Sequence, residues 1–419
     1  YHDPADQPWP GGCCDRIDVG KSKPCVCQRC LDERHYDLDV RACRDFGDDA
    51  AERGVFTFLP RQSVRQYLPV AANHGSGGFV AAGLDAQDDG AQNCRGVARH
   101  ARCASTSGDM TASSPKIRLG TRGSPLALAQ AHMTRAALIA AHGWAADEVE
   151  IVAITTDGDV IQDRPLAEIG GKALWTKTLD RALMEGRTDA SVHSMKDVET
   201  IRPEGIALVA MLERADVRDR LIGAVSVAAL PEGAVVGTAS PRRAAQLRRL
   251  RPDLKIVSFR GNVATRIARV ENGEAHATML AAAGLDRLGH PDVGVPLDIE
   301  AMLPAVAQGA VGLECRAHDA ETRRFLTAID DTKTHRCVAA ERAFLAALGG
   351  GCHSPVGVLA RLEDDVVHLR AEILTEDGTQ HRRGEVRFVP TDKDAPRRLA
   401  TELLVGASPA LAALFSCES

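Results

Sequence analysis

Residues 117–130, Ile117-Arg-Leu-Gly-Thr-Arg-Gly-Ser-Pro-Leu-Ala-Leu-Ala-Gln130, decide the fold class. Lys116–Gly120 reads as a short strand. Ser124-Pro125 then opens a helix, because serine is a good N-cap and proline, lacking an N–H, suits the first helical position. Leu126, Ala129, Met133, Ala137 and Ala140 mark the apolar side of that helix, and Gly143 ends it. The same device returns later, with a strand over Ala234–Thr238, the cap Ser240-Pro241 and a helix over Arg242–Leu250. In both copies a glutamine, Gln130 or Gln246, stands six residues after the serine. Two strand–cap–helix units predict two domains of similar α/β plan.

The flanking sequence extends the pattern. Val149–Thr155, Ala190–His193 and Lys255–Phe259 read as strands and Ala173–Met184 as a helix. Strands alternating with helices favour mainly parallel sheets. Residues 332–419 differ: a helix (Thr334–Leu348), strand-like runs (Val356–Leu362, Val366–Ile373, Gly384–Val389) and a final helix predict a small α+β third domain. The chain is expected to cross back to the first domain near Ala310–Ala328.

The chain has 419 residues, 44% hydrophobic and 26% charged, with a net charge of −6. These values fit a globular protein of roughly three domains. They argue against a disordered chain and a basic nucleic-acid binder, and no apolar run reaches the ~18 residues of a membrane span. The first 109 residues stand apart. They hold eight of the twelve cysteines, and Asp outnumbers Glu there by 14 to 2. Sixteen acids against 13 bases disfavour a transit peptide. Cys27-x-x-Cys30 is half of a zinc motif without a matching second half. Residues 1–109 are therefore expected to be a disordered or non-native extension, with translation starting at Met110, the first methionine.

Helix N-termini attract anions through free N–H groups and the helix dipole. Arg122 precedes the first cap, Arg242 and Arg243 follow the second, Arg260 ends a strand, and Arg266 lies one helical turn beyond. Guanidinium forks at strand–helix junctions suit a ligand with several carboxylates. Arg248, Arg249 and Arg251 read instead as a solvated basic face. Asp197 closes the run Ser191-Val-His-Ser-Met-Lys-Asp197, where a carboxylate can do acid–base work or act as a turn residue. Cys352 follows Gly349-Gly350-Gly351 and precedes His353, which predicts a reachable thiol; Cys315 and Cys337 read as small buried hydrophobes. Phosphate-loop, dinucleotide and His-Glu-x-x-His motifs are absent, so no metal site is expected.

Together these pieces resemble the porphobilinogen deaminase family, also called hydroxymethylbilane synthases. The resemblance rests on Thr121–Gln130, Val192-His-Ser-Met-Lys-Asp-Val198, Ser258-Phe-Arg-Gly-Asn-Val263, Pro304-Ala-Val-Ala-Gln-Gly-Ala310 and Gly350-Gly-Cys-His-Ser-Pro355. It implies a transferase of tetrapyrrole biosynthesis that joins four porphobilinogen molecules on a dipyrromethane cofactor bound covalently to Cys352. It implies a catalytic role for Asp197. Cofactor contacts fall to Arg242, Arg243, Ser240, Lys196, Ser194 and Lys172, and substrate contacts to Arg122, Ser124, Arg260, Arg266 and Arg287. It further implies two lobes like those of periplasmic binding proteins, spanning 116–212 with 310–328 and 216–305, and a third domain over 332–419 that carries the cofactor cysteine. A cytoplasmic monomer that binds neither nucleic acid nor membrane completes the expectation. Glu168, Trp175, Thr178 and Glu199 depart from the family pattern around the loop at about 155–171, where Asp159 and Asp163 are accessory candidates. The rival from another class is a two-lobed anion-binding protein without catalysis.

Overall fold

A computed structural model describes residues 114–155, 176–351 and 354–415. The cysteine-rich segment before Met110 and the expectations attached to it lie outside the described residues. Three sheets organise the rest. The first is built from β1 (Ile117–Arg122), α1 (Pro125–His142), β2 (Val149–Ile154), α2 (Lys177–Met184), β3 (Ala190–Ser194) and β4 (Ile206–Met211). The second follows with β5 (Asp219–Ile222), β6 (Val235–Gly237), α3 (Pro241–Leu250), β7 (Lys255–Val257), α4 (Val263–Glu271), β8 (Ala277–Ala281), α5 (Ala282–Arg287) and β9 (Val295–Pro296). The chain then returns to the first sheet with β10 (Val311–Arg316) and α6 (Ala320–Thr327). A C-terminal α+β domain closes the sequence, with α7 (Thr332–Ala347), β11 (Val356–Glu363), β12 (Val366–Leu374), β13 (His381–Phe388), α8 (Ala395–Val405) and α9 (Pro409–Ala413).

Both repeated caps form. Ser124 accepts from Ala127 N at the start of α1, and Gly143 ends that helix in the left-handed region. Ser240 accepts from Arg243 N at the start of α3. The two larger sheets repeat one plan, with orders β2-β1-β3-β10-β4 and β7-β6-β8-β5-β9. In each, the first three strands pair in parallel. The fourth is antiparallel to both neighbours, so each sheet has two parallel and two antiparallel pairings, where mainly parallel sheets were expected. The reason is connectivity. β5 and β10 each enter directly from the other lobe, at the edge where the parallel strands end, and a strand starting there must run the opposite way.

Each sheet carries its own core. Ile117, Leu119, Leu138, Val192 and Leu313 fill the first, Leu221, Val236, Leu247 and Met279 the second, and Phe344, Val358, Leu369 and Leu399 the third. Each such side chain contributes about 1.5–3 kcal/mol by leaving water. Cys315 and Cys337 are buried free thiols, both pushed up to about 11 by burial. They pack as small hydrophobes, as expected.

Two chain crossings, 212–218 and 303–310, join the lobes and bind each other. Leu212 N donates to Val311 O (3.1 Å) and Ala215 N to Gly309 O (3.3 Å). Arg214 Nε donates to Gln308 O and Gln308 Nε2 to Val217 O. From α7, the fully buried Glu341 accepts both Arg214 Nη groups and the backbone N–H groups of Ala307 and Ala360. The C-terminal domain is thereby fastened to the crossings.

Candidate active site

The C-terminal ends of parallel strands, where helices begin, are the usual place for a ligand in α/β sheets. Here that edge of the first sheet holds a pocket lined by Arg122, Ser124, Gln130, Thr176, Ser194 and Asp197, among others. Four residues singled out from sequence are thus brought together. Arg122 ends β1, Ser124 caps α1, Ser194 ends β3, and Asp197 closes the short 3-10 turn Met195–Asp197. Gln130 was noticed only as half of a repeat. It is buried and lies 2.7 Å from Ser194 Oγ through Nε2, so it fixes one wall of the pocket. Thr176 was not foreseen at all.

Asp197 is exposed, yet its turn is held firmly. Met195 is buried, donates its N–H to Ala310 O (3.1 Å), and lies so close over Gly312 that a Cβ there would sit 2.0 Å from its sulfur. Behind the turn, Arg202 donates to both oxygens of Glu314 (2.8 Å each), to Glu199 (2.8 Å) and to Asp180 (2.5 Å). Glu199 also accepts from Thr176 Oγ1. His193 Nε2 lies 3.2 Å from Glu314. Burial alone would raise the Glu314 carboxyl; His193 and Arg202 outweigh it and hold the group at about 2. The departure at Glu199 therefore has a structural partner.

The second lobe treats its arginines differently from expectation. Asp219, fully buried, binds both Arg242 (2.8 Å) and Arg243 (2.7 Å) through opposite oxygens. Burial would raise its carboxyl, but the two guanidinium charges hold it well below the usual range. Arg242 also donates to Gln246 and Leu303 O, and Arg243 to Met279 O. These are internally paired side chains, and Asp219 is the residue sequence reasoning missed. Ser240 remains at the cap beside them. Arg287 donates to Gly309 O of the second crossing, while its Nε is buried without a partner. Arg260 is partly buried just beyond β7. Nor do Arg248, Arg249 and Arg251 form a solvated face. They tie α3 to Glu376 O, to Glu372, and to Asp253 with the carbonyls around Leu230, respectively.

Charges of the two lobes act on one another. Burial lowers Lys196; the charges of Arg243 and Arg266 lower it further, and Asp197 and Asp219 oppose them. Burial also lowers Arg266, to about 10, with Arg243 adding and Asp197 opposing. Cations crowded together in this way fit a ligand that brings several carboxylates, such as a dipyrromethane. Cys352, His353, Lys172, Glu168, Trp175, Asp159 and Asp163 lie outside the described residues. The residues flanking Cys352 and His353 are joined, Gly351 N to Ser354 Oγ (3.1 Å) and Ser354 N to Gly351 O (3.0 Å).

Residues 117–324 match the family described as porphobilinogen deaminase, dipyromethane cofactor binding domain, and residues 335–405 its C-terminal domain. The porphobilinogen deaminase of Sphingopyxis alaskensis is 57% identical over 306 residues, 72% of this chain and 96% of that protein. That of Paracoccus denitrificans is 51% identical over 298 residues, covering 70% and 95%. The chloroplastic enzyme of Oryza sativa is 51% identical over 269 residues, covering 63% and 75%. Among solved structures, a periplasmic His/Glu/Gln/Arg/opine family-binding protein from Silicibacter pomeroyi aligns at 19% identity and TM-score 0.28, over 54% of this chain and 94% of that one. The family models and the two bacterial relatives, each matched over at least 95% of its length, agree: the chain belongs to the porphobilinogen deaminase family.

Proposed function

We propose that the chain condenses four porphobilinogen molecules head to tail into the linear tetrapyrrole hydroxymethylbilane, releasing four molecules of ammonia and taking up one water as the product leaves, on a dipyrromethane held as a thioether by Cys352. One observation carries the reading: an exposed carboxylate, Asp197, shares a pocket with Arg122, Ser124 and Ser194, and its charge acts on the cations Lys196 and Arg266. Each pyrrole carries an acetate and a propionate, so the growing chain accumulates the carboxylates those cations accept.

Arg122, Ser124, Arg260, Arg266 and Arg287 bind substrate carboxylates in this reading. Lys196, Lys172, Ser194, Ser240, Arg242 and Arg243 hold the cofactor. Arg242 and Arg243, with their Nη groups already engaged, contribute their charge rather than a new hydrogen bond. When bound, the cofactor supplies the pyrrole end on which the chain starts. Asp197 stabilises the positive charge that develops on substrate as ammonia departs, and it accepts the proton released when the ring regains aromaticity. The domains divide as 116–212 with 310–328, 216–305 and 332–419. No helix among the described residues is long and apolar enough to cross a membrane; a cytoplasmic monomer that binds no nucleic acid completes the proposal, and the net charge of −6 supports the last of these.

The test is the purified protein's colour reaction for a bound dipyrromethane. Cys352→Ser is expected to abolish both the colour and porphobilinogen consumption. Full turnover in that variant would overturn the covalent role.

A further inference from the structure

Three consecutive carbonyls follow Asp197 in a stretch where β3 has ended and β4 has not begun. They belong to Val198, Glu199 and Thr200, and one side chain takes all three. Arg342 of α7 donates Nη1 to Val198 O (3.1 Å) and Nη2 to Glu199 O (2.5 Å) and Thr200 O (3.3 Å). The guanidinium is buried, with 8% of the residue exposed. Buried charges normally sit against a carboxylate, but the neighbouring carboxylates Glu314 and Glu199 are bonded to Arg202 instead. Arg342 thus places its Nη hydrogen bonds on backbone, in the geometry that only a planar fork can span.

We propose that Arg342 is a positioning residue that ties the Asp197 turn to the helix leading into the Cys352 loop. The proposal rests on the reading that Asp197 is catalytic and Cys352 carries the primer. Helix α7 ends at Ala347, five residues past Arg342 or about 8 Å along the axis, and Gly349–Gly351 then lead to Cys352. One residue before Arg342, Glu341 clamps the two lobe crossings. A single rigid helix therefore sets the Asp197 turn, the crossings and the base of the cysteine loop in one frame. Its side-chain grip on Asp197 is indirect, through the backbone of the next three residues. The groups facing Arg342 are Glu314 from β10 and Arg202 and Glu199 from the segment after β3; burial lowers its guanidinium, with Arg202 adding and the two carboxylates opposing.

The experiment uses the full-length, primer-loaded enzyme with Arg342→Gln and Arg342→Lys. Misplacing a reacting group by about 1 Å can cost a hundredfold in rate, so kcat is expected to fall roughly ten- to a hundredfold with KM within about twofold. The dipyrromethane colour per chain stays at the level of the unmutated protein. Lysine keeps the charge but not the fork, so Arg342→Lys recovers most of the melting temperature without recovering kcat; it carries the test if Arg342→Gln fails to fold. Unchanged kcat in Arg342→Lys, with Asp197→Ala inactive, overturns the positioning role. Normal turnover in Asp197→Ala instead removes the catalytic reading, and this proposal with it.

Discussion

Arg242 Nη2 lies 2.8 Å from Asp219 Oδ2, and the two residues are 3% and 2% exposed. Arg243 takes the other carboxylate oxygen, so one buried anion is shared by two buried cations. Removing it leaves two buried guanidinium groups without the carboxylate that bonds them both. Asp219→Asn, which keeps the shape and deletes the charge, is expected to cost about 3–5 kcal/mol. Urea midpoints at neutral pH measure it, and a loss under about 1 kcal/mol would show that Asp219 does not hold the two guanidinium groups in place.

Acid should loosen the first lobe through Glu314. Its folded carboxyl stands at about 2, below its ordinary value of 4.5. A depressed acid stabilises the fold fully above the unfolded value, and that stabilisation fades as pH falls from about 4.5 towards about 2. The contribution at neutral pH is on the order of 3 kcal/mol. Glu314→Gln should therefore be less stable at pH 7 and should show a flatter stability profile between pH 4.5 and 2. Parallel acid profiles for the two proteins would sink the assignment.

Gly309 has φ of +86°, and a Cβ there would lie 2.6 Å from Ala215 O in the facing crossing. Both the backbone conformation and the space exclude a side chain. Gly309→Ala should cost about 1–3 kcal/mol through strain and should push the two crossings apart. A melting temperature within a degree of the unmutated protein would refute the tight packing inferred here.

The parts legible in sequence were those fixed by neighbours along the chain. Ser124 and Ser240 cap the next turn of helix, Gly143 needs a left-handed conformation, and the periodicity of β11 and β12 is short-range. Even the repeat of lobe plan showed itself, because each copy begins with the same local device. What stayed hidden depends on distant partners. Arg242 and Arg243 look like free anion ligands until Asp219, more than twenty residues earlier, is seen between them. Arg249 looks solvated until Glu372 arrives from another domain. The direction of β5 and β10 follows from where the chain re-enters each sheet, which no local pattern records. Asp197 and Arg122 could be singled out because their positions at strand ends are local, whereas Glu314 and Arg342, which hold Arg202 and the backbone after Asp197, lie more than a hundred residues along the chain.

The return of β10 into the first sheet bears on the order in which a ribosome can complete the protein. β4 has a single neighbour in its sheet, and that neighbour is β10, a hundred residues later in the chain. Until Val311–Arg316 has been synthesised, β4 is a bare edge whose N–H and C=O groups lack their strand partner, a template for mispairing. The second lobe carries no such debt, since β5 to β9 are contiguous. The lobe made first is thus finished second, and a nascent chain stalled before Val311 should need protection that one released after Thr327 does not.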